Sequence, residues 1–209
     1  MQMKGSDSVA EQAARVTICS HFNPGEDMSR FCAVLLASFV FFVPQAAWSQ
    51  QTKPESAQSG VTAKPADVRS LDAIMQAVYD VISGPPGERD WNRFRSLFVP
   101  GARLIAVTHK STPAALEDMT AEKYVDLAGG YFKQHGFFER EISRKMESFG
   151  SIAHVFSTYE SRETADGKPF VRGINSFQLL NDGTRWWVVS IYWDEERPDV
   201  PIPAKYLEK

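Results

Sequence analysis

The stretch from Val171 to Glu195, VRGINSFQLLNDGTRWWVVSIYWDE, limits the fold more than any other part of the chain. Two runs rich in β-branched and aromatic residues meet at Asn181, Asp182 and Gly183, and Asp-Gly between such runs is a strong short-range hairpin signal. Residues paired across an antiparallel ladder share a face. A two-residue loop at Asp182-Gly183 sets Leu179 opposite Trp186, Phe177 opposite Val188, Asn175 opposite Ser190 and Gly173 opposite Tyr192. That face is apolar near the turn and polar far from it, as expected of a core that tapers into a polar pocket. The other face pairs Gln178 with Trp187, Ser176 with Val189, Ile174 with Ile191 and Arg172 with Trp193. It is too apolar for open water, which predicts cover by a tail or a second subunit. A three-residue loop with a bulge would shift this pairing by one.

The segments before the hairpin change period midway. Ser70 offers an N-cap, and Leu71, Ile74, Met75, Val78, Tyr79 and Ile82 recur at helical spacing until Gly84-Pro85-Pro86. Asp90 caps a second, short helix with Trp91, Phe94, Leu97 and Phe98, stopped by Pro100-Gly101. Arg103 to Thr108 reads as a short strand, the stretch through Pro113 as a loop, and Thr120 as the cap of a third helix carrying Tyr124, Leu127, Ala128 and Tyr131. From Phe137 the period is two, giving a long strand with a polar face that includes Glu139 and Glu141, then a second strand from Ile152 to Arg162. Asp166-Gly167 turns that strand into the hairpin. Helices first and strands afterwards predict an α+β domain: three N-terminal helices packed on a curved, mostly antiparallel sheet, forming a cone with an internal pocket. Arg197 to Lys209, with three prolines, predicts an extended tail lying across the surface.

The 209 residues accommodate one such domain plus extras. Residues 28–49 have the form of a secretory signal: Arg30, an apolar run from Phe31 to Val43, then Ala47 and Ser49 before a cut at Gln50. The run falls short of the roughly 20 residues that a membrane span needs, so no stable insertion is expected after cleavage, and the mature chain is expected to be secreted or periplasmic. Residues 1–27 read as an upstream extension or a longer leader, residues 50–69 as a flexible linker, 70–197 as the domain and 198–209 as the tail. Both cysteines, Cys19 and Cys32, precede the cut, which leaves the mature chain without disulfide, thiol nucleophile or cysteine metal site. The net charge of -3 gives no electrostatic reason to expect a nucleic-acid partner.

The helix pair LDAIMQAVYDVIS and DWNRFRSLFVPGARL, followed by AHVFSTYESR and FQLLNDGTRWWVVSIYW, resembles the nuclear transport factor 2-like superfamily, called SnoaL-like in bacteria. The resemblance covers about residues 70 to 195. It implies a cone with a pocket between sheet and helices, in a family that includes ketosteroid isomerases, polyketide cyclases, epoxide hydrolases, dehydratases and domains without activity. It also implies a role for Tyr79, at the place of the isomerases' oxyanion-stabilising tyrosine. The carboxylate base of that pattern has no counterpart in Arg103 to Thr108.

With a two-residue loop at Asp166-Gly167, Glu160 opposes Gly173 and shares a face with Asn175, Ser190 and Tyr192, so it is the first candidate for a proton carrier; the alternative is a rim glutamate paired with Arg162 or Arg172. His109, after the first strand, could titrate near neutral pH or simply be exposed. Tyr79 and Tyr131 could donate to a ligand oxygen or merely pack. Glu139 and Glu141 read as a solvated strand face, and His154 as an inner-face residue at the apolar end. His109, His135 and His154 lack metal-ligand spacing, and no glycine pattern for phosphate or dinucleotide occurs, so neither metal nor cofactor is expected. Two readings stay open. One is an exported domain that binds a small apolar or amphipathic molecule and dimerises through its outer sheet face. The other is an isomerase, cyclase or dehydratase using Glu160 or His109, with Tyr79 or Asn175 orienting a carbonyl. A purely structural module is a weaker third.

Overall fold

A computed structural model describes residues 62–109 and 112–208. The upstream extension, the signal segment and most of the linker lie outside the described residues. The end of the linker departs from expectation: Pro65–Val68 forms a short helix, α1. Its Asp67 is buried and takes a two-pronged contact from Arg93, Nε to Oδ2 at 2.7 Å and Nη2 to Oδ1 at 3.0 Å. A stretch that looked too polar to fold is held by this charge pair together with the buried Ala63 and Val68.

Helix α2, Leu71–Ile82, starts where Ser70 accepts the Ala73 N–H at 3.1 Å. Ile74, Met75, Val78 and Ile82 are buried as the spacing predicts, and Tyr79 joins them at 5% exposure. Helix α3, Trp91–Ser96, is capped by Asp90, and helix α4, Ala121–Gln134, by Thr120, each side chain accepting the N–H three residues on. Strand β1 spans Phe98–Thr108, starting before the Pro100-Gly101 stop because a register shift between Phe98 and Arg103 absorbs that pair. A strand the sequence concealed, β2 (Ala115–Thr120), pairs with it antiparallel. Strands β3 (Phe138–Phe149), β4 (Ile152–Arg162), β5 (Val171–Asn181) and β6 (Trp186–Glu195) form a meander. The result is an α+β fold with one six-stranded, unclosed sheet in the order β2-β1-β6-β5-β4-β3, antiparallel except at β1–β6. Helix α2 packs on β3 and β6 and α4 on β1 and β2, and Phe94, Phe132, Phe177 and Val188 are almost fully buried between the layers.

Two loops are longer than the Asp-Gly signals implied: the first moves the pairing by two residues and keeps the faces, and the second moves it by one and exchanges them. Asp182 Oδ1 accepts from Thr184 N (2.8 Å), Thr184 Oγ1 (2.7 Å) and Arg185 N (2.9 Å), while its Oδ2 accepts from Trp187 Nε1 at 2.6 Å. These bonds draw Thr184 and Arg185 into the turn, so the last pair is Asn181 with Trp186, and a further shift after Val188 sets Gln178 opposite Ser190. Between β4 and β5 the connection covers residues 163–170, which puts Tyr159, not Glu160, opposite Gly173. A third irregularity, between Glu141 and Ser143, bends β3.

The tail crosses the outer sheet face. Thr158 Oγ1 donates to the Tyr206 carbonyl (2.7 Å), Ser143 Oγ to that of Glu208 (2.5 Å), and the Tyr206 ring lies 5.0 Å from that of Phe156. It shelters β3 and β4 and leaves Val189 and Tyr192 on β6 at 38% and 44% exposure.

Candidate functional site

The concave face of the sheet and helices α2 and α4 enclose a cavity of about 300 Å³. Its wall is apolar, with Val78, Phe94, Leu104, Met119, Phe177 and Ile191, and one end is polar, with Tyr79, Tyr124, Glu139, Tyr159, Asn175 and Glu195.

Glu139 is placed by the end of α2. Its N–H donates to Ser83 Oγ at 2.9 Å, Ser83 Oγ lies 2.7 Å from the Tyr79 carbonyl to which it donates, and Gly84 and Phe137 form a two-way backbone bridge beside it. Its carboxyl accepts from Ser161 Oγ at 2.8 Å. Burial, with a smaller contribution from the charge of Glu195, raises its pKa to about 7 against the hydrogen bonds from Ser161 and Asn175. Glu195, at the end of β6, is itself raised by burial and then by neighbouring Asp194. The Tyr79, Tyr124 and Tyr159 hydroxyls are all pushed well above the usual range, by burial first and the Glu139 charge second.

Hydrogen-bond direction distinguishes these tyrosines. Ser157 Oγ donates to Glu141 Oε2 (2.5 Å), so at its 2.7 Å contact with Tyr79 it accepts, and Asn175 Nδ2 donates to the Tyr79 oxygen at 3.2 Å. Arg144 holds Glu141 in turn, at 2.6 Å. The single hydroxyl hydrogen of Tyr79 therefore runs to Ser157, and Tyr79 is not free to donate to a ligand oxygen. Among the described residues the Tyr124 and Tyr159 hydroxyls make no hydrogen bond, although Tyr159 is only 4% exposed. Tyr159 reaches the cavity because Gly173 has no side chain: a Cβ there would lie 2.7 Å from the Tyr159 hydroxyl and 2.4 Å from the Asp194 carbonyl.

Of the residues singled out in the sequence, Tyr79, Tyr131 and Asn175 line the cavity. Tyr131 stacks on His135 with ring centroids 4.5 Å apart. Glu160 is corrected to the outer face, where the eight-residue connection turns it; Arg140 Nε and Arg162 Nη2 each approach it at 2.6 Å. Burial opposes its ionisation, but those two guanidiniums outweigh it and hold its carboxyl below the usual range. His109 lies outside the cavity lining, its Nε2 3.0 Å from Asp194 Oδ1. Ser190 and Tyr192 are turned outward by the shift after Val188, and Trp193 and Glu195 take the inward positions. His154 also faces outward, 3.1 Å from Ser176 Oγ. Glu139 and Glu141 are corrected from a solvated surface to the inner face, as their pairing opposite Ser161 and Tyr159 requires.

The class that this architecture and cavity define is an α+β cone, one unclosed six-stranded sheet with helices on its concave face and a pocket between them. Solved structures similar to the chain include a nuclear transport factor 2-like protein of unknown function from Silicibacter pomeroyi, at 15% identity and TM-score 0.42 over 61% of this chain and 94% of that one. Another, also nuclear transport factor 2-like and of unknown function, is from Shewanella baltica, at 16% identity and TM-score 0.41 over 61% and 98%. An uncharacterised protein with a cystatin-like fold from Caulobacter vibrioides gives 12% identity and TM-score 0.47 over 63% and 90%. No family model and no curated protein matches the sequence. The chemistry comes from this chain's own residues.

Proposed function

We propose that the protein is an exported cone domain that binds one small amphipathic molecule, apolar body against the Phe94–Phe177 wall and polar end at Glu139. The observation that carries this is the cavity itself: about 300 Å³, at the small end of ligand pockets, apolar along its wall with its polar groups gathered at one end. The test is titration with the neutral fluorophore N-phenyl-1-naphthylamine. Leu127→Trp, which fills the cavity from α4, should weaken binding about tenfold or more with the circular dichroism unchanged; equal binding would remove the cavity as the site.

A second reading is an acid-base enzyme of the isomerase, cyclase or dehydratase type with Glu139, not Glu160 or His109, as proton carrier. It is favoured by a carboxyl that changes charge near pH 7 beside the unbonded Tyr159 hydroxyl. Any turnover found with enolisable ketones should fall about 100-fold or more in Glu139→Gln. Export rests on residues 28–49, and the proposed homodimer on Val189 and Tyr192, the outer apolar surface that the tail does not reach.

A further inference from the structure

We infer that the ligand of this cavity carries a protonated amine, bound where the Glu139 and Glu195 carboxyls and the Tyr159 ring converge at the polar end. The inference rests on the binding reading above and names the ligand's charge. Among the described residues, the carboxyl and basic side chains that line the cavity are all acidic, Glu117, Glu139, Glu195 and Glu196, with no lysine, arginine or histidine. An enclosed site for a carboxylate or phosphate ligand would show the opposite pattern.

Among the described residues, three arginines close to the lining give their contacts to groups other than the Glu139 and Glu195 carboxyls. Arg89 donates to the carbonyls of Ile82, Gly84, Pro85 and Gly87, closing the end of α2. Arg172 pairs with Glu196 at 2.7 Å. Arg197 gives its hydrogen bonds to Asp194 Oδ1 (2.6 Å) and the Glu195 carbonyl (2.9 Å), not to the Glu195 carboxyl. Glu139 and Glu195 are thus left without a salt-bridge partner among the described residues, whereas Glu160 on the opposite face has two.

A carboxylate held away from water needs a counter-charge or a proton. The residues around this pair suit a cation. Tyr124, Tyr131, Phe137, Tyr159 and Trp193 present aromatic surface to the cavity, and ring faces attract ammonium groups most where water is excluded. Tyr159, a residue only 4% exposed, contributes at the same end a hydroxyl oxygen without a hydrogen bond among the described residues. Carboxylates and a phenol oxygen are acceptors, and an alkylammonium has only donors to offer them. The apolar wall requires that the amine sit on a hydrocarbon or aromatic body small enough for about 300 Å³.

The experiment compares three matched probes by calorimetric titration at pH 8: 4-phenylbutylamine, 4-phenylbutan-1-ol and 4-phenylbutyrate. The amine should bind about tenfold or more tighter than the alcohol, and the acid weakest. Glu139→Gln and Glu195→Gln should each shrink the amine-to-alcohol ratio, with unchanged circular dichroism showing that the variants fold. Equal affinity for amine and alcohol, or preference for the acid, overturns the inference and leaves the cavity reading standing. Loss of all three probes while N-phenyl-1-naphthylamine still binds overturns it as well, and failure of that fluorophore too removes the cavity reading with it.

Discussion

Glu139 and Glu160 occupy the same edge of the sheet, one rung apart: Glu139 pairs with Ser161 and Glu160 with Arg140. They are the same residue type on adjoining strands, and their carboxyls are driven in opposite directions, up to about 7 for Glu139 and below the usual range for Glu160. The difference lies in which face each side chain takes. The inner face supplies a hydroxyl, an amide and three tyrosine rings; the outer face supplies two guanidiniums. Alternation along a strand therefore separates a carboxyl tuned for a ligand or a proton from one fixed in an ion cluster.

The largest effect expected from this contrast is on the pH dependence of stability. The folded state holds the Glu139 proton up to about pH 7, whereas an unfolded glutamate releases it near 4.5. Between those values the unfolded chain loses protons that the folded one keeps, so this group lowers stability as pH rises, and above about 7 its cost is constant. Glu139→Gln, neutral throughout, should match wild type near pH 4.5 and exceed it by about 2 kcal/mol at pH 8, read from urea midpoints. Equal midpoints at pH 8 would show that the two carboxyls do not differ in burial.

The opposite sign applies to Glu160. Its depressed folded value makes a contribution that is present above the ordinary carboxylate range and lost as pH falls through the folded value. Glu160→Gln should destabilise by about 1 kcal/mol at pH 7, because Arg162, with 17% side-chain exposure, loses its partner, and the deficit should fade on acidification. If Glu160→Gln and Glu139→Gln shifted stability in the same direction at neutral pH, the two-face account would fail.

How legible each carboxyl was in the sequence follows from the same geometry. Helical spacing located Tyr79 and the capping residues Ser70, Asp90 and Thr120, because period and cap are local properties of the chain. Asn175 was placed on the inner face correctly, since β5 keeps strict alternation from Gly173 through Leu179. What failed was register beyond a one-residue slip. The 163–170 connection and the shift after Val188 each displace the pairing by one, which an Asp-Gly pair does not specify and which reverses the face of every side chain beyond it. Glu195 was missed for that reason, Glu139 because a strand face of alternating charges reads as solvated, and β2 because six residues with two carboxylates resemble a loop. The buried Asp67 was missed because its partner, Arg93, is 26 positions away in sequence.

The smallest predicted effect is the most direct check on the corrected register. Under a two-residue Asp182-Gly183 loop Tyr192 would sit opposite Gly173 at the pocket; in the structure it lies opposite Ser176 and is 44% exposed, while Trp193 lines the cavity. Tyr192→Ser removes an aromatic ring from the outer face and nothing from the inner one, so N-phenyl-1-naphthylamine affinity should stay within about twofold of wild type. Trp193→Ala, one residue further, should weaken it several-fold, since the ring it deletes forms part of the cavity wall. Light scattering on the same Tyr192→Ser sample also reads the proposed dimer: with the outer face between copies, the loss of that ring lowers the association constant without touching the ligand. A Tyr192→Ser variant with weakened fluorophore binding and unchanged assembly would return Tyr192 to the pocket and remove the shift after Val188.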